Sequence, residues 1–214
     1  MTRYDRRSIA LAVALSALAG YVDALGFLSL GNFFVSFMSG NSTRLAIAFG
    51  EERYRYALMG CGVVGLFVLG VVGGSLVGHR CGVRRRPAVL ILVAGLLALA
   101  ALLHNAGLPY LGTASMLLAM GAENAVFQRD GEVSIGLTYM TGTLVRMGQR
   151  LAEMAYGGSR KAWLPYFLLW LGLVMGALVG SVVHSRVAMN GLWLAAIAAL
   201  ILAKASVHTR LRYR

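Results

Sequence analysis

The residues able to do chemistry in this chain stand inside apolar sequence. Asp23 lies deep in the apolar stretch 8–28, and Glu123 with Asn124 in the stretch 110–127. A carboxylate at bilayer depth is by default a candidate proton relay, coupling-ion ligand or substrate contact. For Asp23 the structural alternative is a salt bridge with an arginine. Two further clusters mix hydroxyls, glycine and a base: Ser39-Gly40-Asn41 with Arg44, and Thr141-Gly142-Thr143 with Arg146. Each reads as a helix start whose side-chain oxygen caps the first free N–H groups. The positive end of the helix dipole would then point into the membrane. Two such starts meeting from opposite sides make an anion site. Arg44 and Arg146, about one turn further on, would help to hold the anion. Otherwise they snorkel to headgroups or pair with Asp23 and Glu123.

The two clusters belong to one repeated text. GYVDA and FMSGNSTR in residues 20–44 match GAENA and YMTGTLVR in residues 121–146, at offsets of 101 and 102. Matched polar breaks in two halves of a membrane protein point to a binding site between them. The copies differ in charge where Asp23 meets Asn124.

Elements able to position these groups follow from composition. Hydrophobic residues make up 58% of the chain, charged ones only 13%, and mean hydropathy is +0.71. This places it among membrane proteins, not soluble domains. Apolar windows at 8–28, 56–78, 87–103, 110–127, 162–183 and 191–207 approach the length that crosses a bilayer. The basic opening before the first window resembles a signal peptide. Tyr21, Asp23 and the lack of a clean cleavage site favour a retained helix.

Positive charge decides whether the broken segments count as crossings. With six spans and both termini cytoplasmic, 15 of the 20 basic residues fall inside and 3 outside, leaving Arg44 and Arg146 at membrane depth. Eight spans lower the split to 12 against 6 and put Arg84, Arg85 and Arg86 outside. Six spans are therefore expected. The fold class is all-α, a polytopic membrane helix bundle of one domain, 1–214. Residues 1–105 and 106–214 form a 3+3 inverted repeat with two broken, re-entrant segments.

Glycine spacing adds to the repeat. Gly70, Gly74 and Gly78 correspond to Gly172, Gly176 and Gly180, each a stripe that lets another backbone approach. Packing inside the bundle is the first reading, a homodimer face the second.

Several functions find no support. The net charge of +12 collects at helix ends, with no basic, aromatic-interleaved surface for nucleic acid. His79, His104, His184 and His208 lack metal-ligand spacing, and no nucleotide or hydrolase fingerprint occurs. No metal, cofactor or enzyme activity is expected. Cys61 and Cys81 read as packing residues.

The combination of G-x-V-D-A-x-G-F, F-F-V-S-F-M-S-G-N-S-T-R and the second M-T-G resembles the YoaK family. Gly20, Asp23, Ala24, Phe27, Met38, Gly40 and Asn41 carry the first motif, and Gly121, Asn124, Thr141 and Gly142 the second. Ser39 stands where threonine is common, and keeps the hydroxyl. The resemblance implies a bacterial inner-membrane protein of about six helices. It implies no substrate.

The function expected from the residues is secondary transport of a small anionic solute at the midplane. Asp23, Ser39, Gly40, Asn41, Arg44, Asn124, Thr141, Gly142 and Arg146 are its candidate site. Asp23 and Glu123 are the candidates for proton coupling. The expected partners are membrane lipids and the solute. Alternatives are a passive channel, a ligand-binding sensor without transport, and an enzyme acting on a lipid or quinone.

Overall fold

Asp5 opens the first helix by accepting the Ser8 N–H at 3.0 Å, a side-chain cap of the ordinary kind. The computed structural model describes residues 5–129, 132–133 and 135–207. Among these the helices are α1 (Arg6–Ser29), α2 (Met38–Gly50), α3 (Tyr54–Cys81), α4 (Arg85–Asn105), α5 (Pro109–Glu123), α6 (Met140–Ala155), α7 (Leu164–Val187) and α8 (Leu192–Val207). Pro109 and Pro165 sit in the first turns of α5 and α7, where a missing N–H does no harm. A two-rung antiparallel pairing of Gln128–Arg129 with Glu132–Val133 is the β structure among the described residues. The molecule is an all-α membrane helix bundle, as composition requires.

Three continuous helical stretches are long and apolar enough to cross a bilayer: Arg6–Ser29, Tyr54–Asn105 and Leu164–Val207. The last two, at 52 and 44 residues, each fold back on themselves at a short 3-10 turn, Gly82–Arg84 and Ala188–Gly191. Gly82 and Ala188 begin these turns with φ of +50° and +49°. Leu69, Leu76, Ile91, Leu178, Ile197 and Ile201 are all exposed on the outside of the bundle. An apolar outer surface of that extent suits lipid, not water.

Helix pairs are set by glycine. A Cβ on Gly176 would lie 1.9 Å from the Ala17 carbonyl oxygen, and one on Gly180 2.5 Å from that of Tyr21. In the other half, a Cβ on Gly70 would lie 2.3 Å from the Leu118 oxygen, and one on Gly74 2.6 Å from that of Ala122. The α1–α7 contacts thus recur in α5–α3 under the shifts that relate the two sequences. The glycine stripes are spent on this packing. Gly78 meets Arg85, and Gly172 meets Val13. Both faces considered for a second copy are therefore covered by the same chain.

The first break enters and leaves on one side. After α1 the chain turns back until Val35 and Ser36 reach Asp23, six residues before the end of α1. From there α2 runs outward for 13 residues, about 20 Å, short of the roughly 30 Å hydrocarbon core. Tyr56, at the start of α3, donates its hydroxyl to the Gly31 carbonyl at 2.9 Å. The entry to α3 is thus level with the exit from α1. The second break leads into α6, at 16 residues about 24 Å long. Ser16 of α1 donates to the carbonyls of Leu137 and Leu169, at 3.2 and 3.0 Å, and anchors that break in the core.

Candidate functional site

Each break is clasped by the amide or acid of the preceding helix. The Asp23 carboxylate is buried, and its Oδ1 accepts the backbone N–H groups of Val35 and Ser36, both at 2.7 Å. Its Oδ2 accepts the Ser36 hydroxyl. Charge-assisted bonds of this kind are the strong ones, and they fix where the chain reverses. In the second half the Thr138 hydroxyl donates to Oδ1 of Asn124 at 3.3 Å, while Asn124 Nδ2 donates to the Met120 carbonyl at 3.0 Å. The arrangement is related, with one charge fewer.

Asn41 completes the first clasp. Fully buried, it donates from Nδ2 to the Phe34 carbonyl at 2.7 Å and accepts the Phe34 N–H on Oδ1 at 3.0 Å. Thr143 stands at the equivalent place and donates instead to the Tyr139 carbonyl at the start of its own helix, at 3.2 Å.

The two helix starts share a cavity of about 270 Å³. It is lined by Ser36, Phe37, Met38 and Ser39 from the first break and by Thr138, Tyr139, Met140, Thr141 and Gly142 from the second, with Phe67 of α3 at one wall. Phe67 is the fourteenth of the 28 residues of α3, so the cavity faces the middle of that helix. The starts are not capped by side chains. The N-cap residues are Phe37 and Tyr139, neither making a side-chain cap bond, and this corrects the capping expected of Ser39 and Thr141. Met38 N–H bonds Ser36 and Asn41 N–H bonds Phe37, with the same pattern from Met140 to Thr138 and Thr143 to Tyr139. The N–H groups of Ser39, Gly40, Thr141 and Gly142 have no acceptor among the described residues. Helix ends in this condition carry roughly half a positive charge each.

Neither arginine joins the cavity. The Arg44 guanidinium lies over the rings of Phe27 and Phe34, 5.3 and 5.6 Å from their centroids. Arg146 is exposed on α6. Among the described residues Asp23 forms no ion pair, so the salt bridges considered for these residues do not form. Glu123 is wholly buried, and neither of its carboxyl oxygens has a hydrogen-bond partner among the described residues.

The family described as "Protein of unknown function (DUF1275)" matches residues 11–205, from within α1 to within α8. The chain belongs to that family. It is also similar to the UPF0700 transmembrane protein RA0705 of Rhizobium meliloti (strain 1021), at 39% identity over 207 residues, covering 96% of this chain and 89% of the relative. The YoaK resemblance is borne out by this membership. No solved structure matches. The relative's name and the apolar outer surface agree that this DUF1275 chain is a membrane protein.

Set against the sequence candidates, the cavity of this DUF1275 protein keeps Ser39, Thr141 and Gly142. Asp23, Asn41 and Asn124 act behind it, holding the breaks in place. Gly40 serves a packing purpose, since a Cβ there would lie 2.5 Å from the Phe37 ring. Ser36, Thr138 and Phe67 escaped the sequence reading. The first two were signalled by the repeat, where V-S-F-M-S-G aligns with L-T-Y-M-T-G. Phe67 carries no such mark. Cys61 and Cys81 are exposed, not packed, and among the described residues no group of histidines, cysteines and acids could hold a metal. His208 lies outside the described residues.

Proposed function

We propose that this protein is a secondary transporter of a small anionic solute in the bacterial inner membrane. The observation that carries the reading is the pair of uncapped helix starts, from separate halves, opening onto one cavity that faces the middle of α3. Free N–H groups and aligned dipoles favour an anion there, and no carboxylate is among the residues that line the wall. The cavity, at about 270 Å³, suits a small solute.

Six spans with cytoplasmic termini and a 3+3 inverted repeat are part of the proposal. The side-preserving first break supports it, as does the recurrence of the α1–α7 contacts in α5–α3. A Cβ on Gly26, late in α1, would lie 3.5 Å from the Met116 side chain in the middle of α5, while Asp23, earlier in α1, is near enough to bear electrostatically on Glu123 at the end of α5. This supports opposite senses for those two helices, as inversion requires. Alternating access would rock one half against the other around the cavity.

The test is uptake and counterflow of labelled small anions into vesicles reconstituted with the purified protein. Counterflow that saturates supports a carrier, and uptake without counterflow indicates a channel. If no anion of a broad panel is moved or bound, the reading fails.

A further inference from the structure

The molecule holds two buried acids in one region, and their surroundings are opposite. Asp23 is surrounded by donors: two N–H groups and one hydroxyl fill its oxygens. Such a set suits an ionised carboxylate, which only accepts. Glu123 has no hydrogen-bond partner at either oxygen among the described residues, and none of its surface reaches solvent. An ionised carboxylate in that condition is prohibitively costly, which favours the neutral, protonated form.

Among the described residues no cation offsets the burial. From α1 the charge that bears on Glu123 is Asp23. On α4, Arg85 donates to the Gln128 carbonyl at 2.6 Å and Arg86 lies over the Phe127 ring. On α3, His79 and Arg80 stand in the last turn, with Arg80 exposed. Two carboxylates sharing a buried region do not both ionise, and Asp23 is the one supplied with donors.

The repeat isolates the feature. Under the offset of 101, Glu123 falls on Val22, which is also fully buried. Val22 needs nothing at that position. An acid there, beside the Asn124 that holds Thr138 at the cavity wall, adds a removable proton one residue from the second clasp.

We propose that Glu123 is the proton-carrying group of this site and that Asp23 is a fixed carboxylate which holds the first break. Resting on the transporter reading, the inference assigns coupling to Glu123: its proton is held in the present conformation and released when that region meets water. Loss of the proton would leave two negative charges behind the cavity and weaken the hold on an anion. Solute and proton would then leave together.

Infrared spectroscopy of the reconstituted protein tests the assignment without needing a substrate. The C=O stretch of a protonated, buried carboxyl group is expected in the wild type and in Asp23→Asn, and is expected to vanish in Glu123→Gln. Glu123→Asp, which keeps a carboxyl group, should retain the band at a shifted frequency and guards against a loss caused by misfolding. In vesicles, Glu123→Gln should keep counterflow and lose stimulation by an imposed pH gradient. A band that survives Glu123→Gln and disappears in Asp23→Asn overturns the assignment. So does gradient-driven uptake unchanged in Glu123→Gln. Absence of all wild-type uptake would remove the transporter reading and the coupling with it, while the infrared result still reports who holds the proton.

Discussion

Ser36 lies thirteen residues after Asp23 in the chain, yet it gives that carboxylate both its backbone N–H and its hydroxyl. The pairing turns a polar interruption into a built helix start: the chain is pulled back along α1, and α2 begins from the fixed point.

Asp23→Ala should therefore weaken the fold sharply. It strands three donors in the interior, each costing about 1–3 kcal/mol when unsatisfied. Asp23→Asn should be far milder, because Asn124 does related work in the other half. Thermal unfolding in detergent measures both, and equal midpoints for Asp23→Ala and wild type would dispose of the clasp.

Removal of one N–H from the cavity should weaken anion binding. Thr141 stands in the first turn of α6, where proline is tolerated. Thr141→Pro should lower affinity about tenfold, near the roughly 1.5 kcal/mol of one bond to a charged group, with helix content retained by circular dichroism. Arg44→Ala should leave affinity unchanged, since its side chain lies on Phe27 and Phe34 and outside the cavity. A reversed pattern would return Arg44 to the site.

Glycines of similar sequence context should divide sharply. Gly176→Ala and Gly70→Ala drive a methyl against backbone oxygens of α1 and α5, an overpacking that costs about 1–3 kcal/mol or more. A methyl group added at Gly73 or Gly65 would meet nothing within 4 Å, and these alanine variants should be neutral or slightly more stable. Unfolding midpoints of the four variants check the division.

Ala188 adopts φ +49° and ψ −134°, a region that suits glycine, at the place where the other half has Gly82. Ala188→Gly should raise stability by about 1 kcal/mol, and Gly82→Ala should lower it by at least as much. The same unfolding assay reads both, and destabilisation by Ala188→Gly would show that the turn is not strained.

Much of this was legible in one dimension. Apolar windows, the side preference of arginine and the repeated G-x-x-[DN]-A and M-[ST]-G text are local properties, and a bilayer acts on them locally. They determined a helical membrane protein with two matched breaks, and they picked out Asp23, Ser39 and Thr141. What a side chain meets across the bundle is not local. Arg44 could have faced an anion, a headgroup or an acid, and packing gave it two aromatic rings. Asp23 stood deep in its apolar stretch, while Glu123 could have supplied a second carboxylate or faced the cytoplasmic end. Only the returning chain, which brings donors to one and leaves the other bare, decided that they differ.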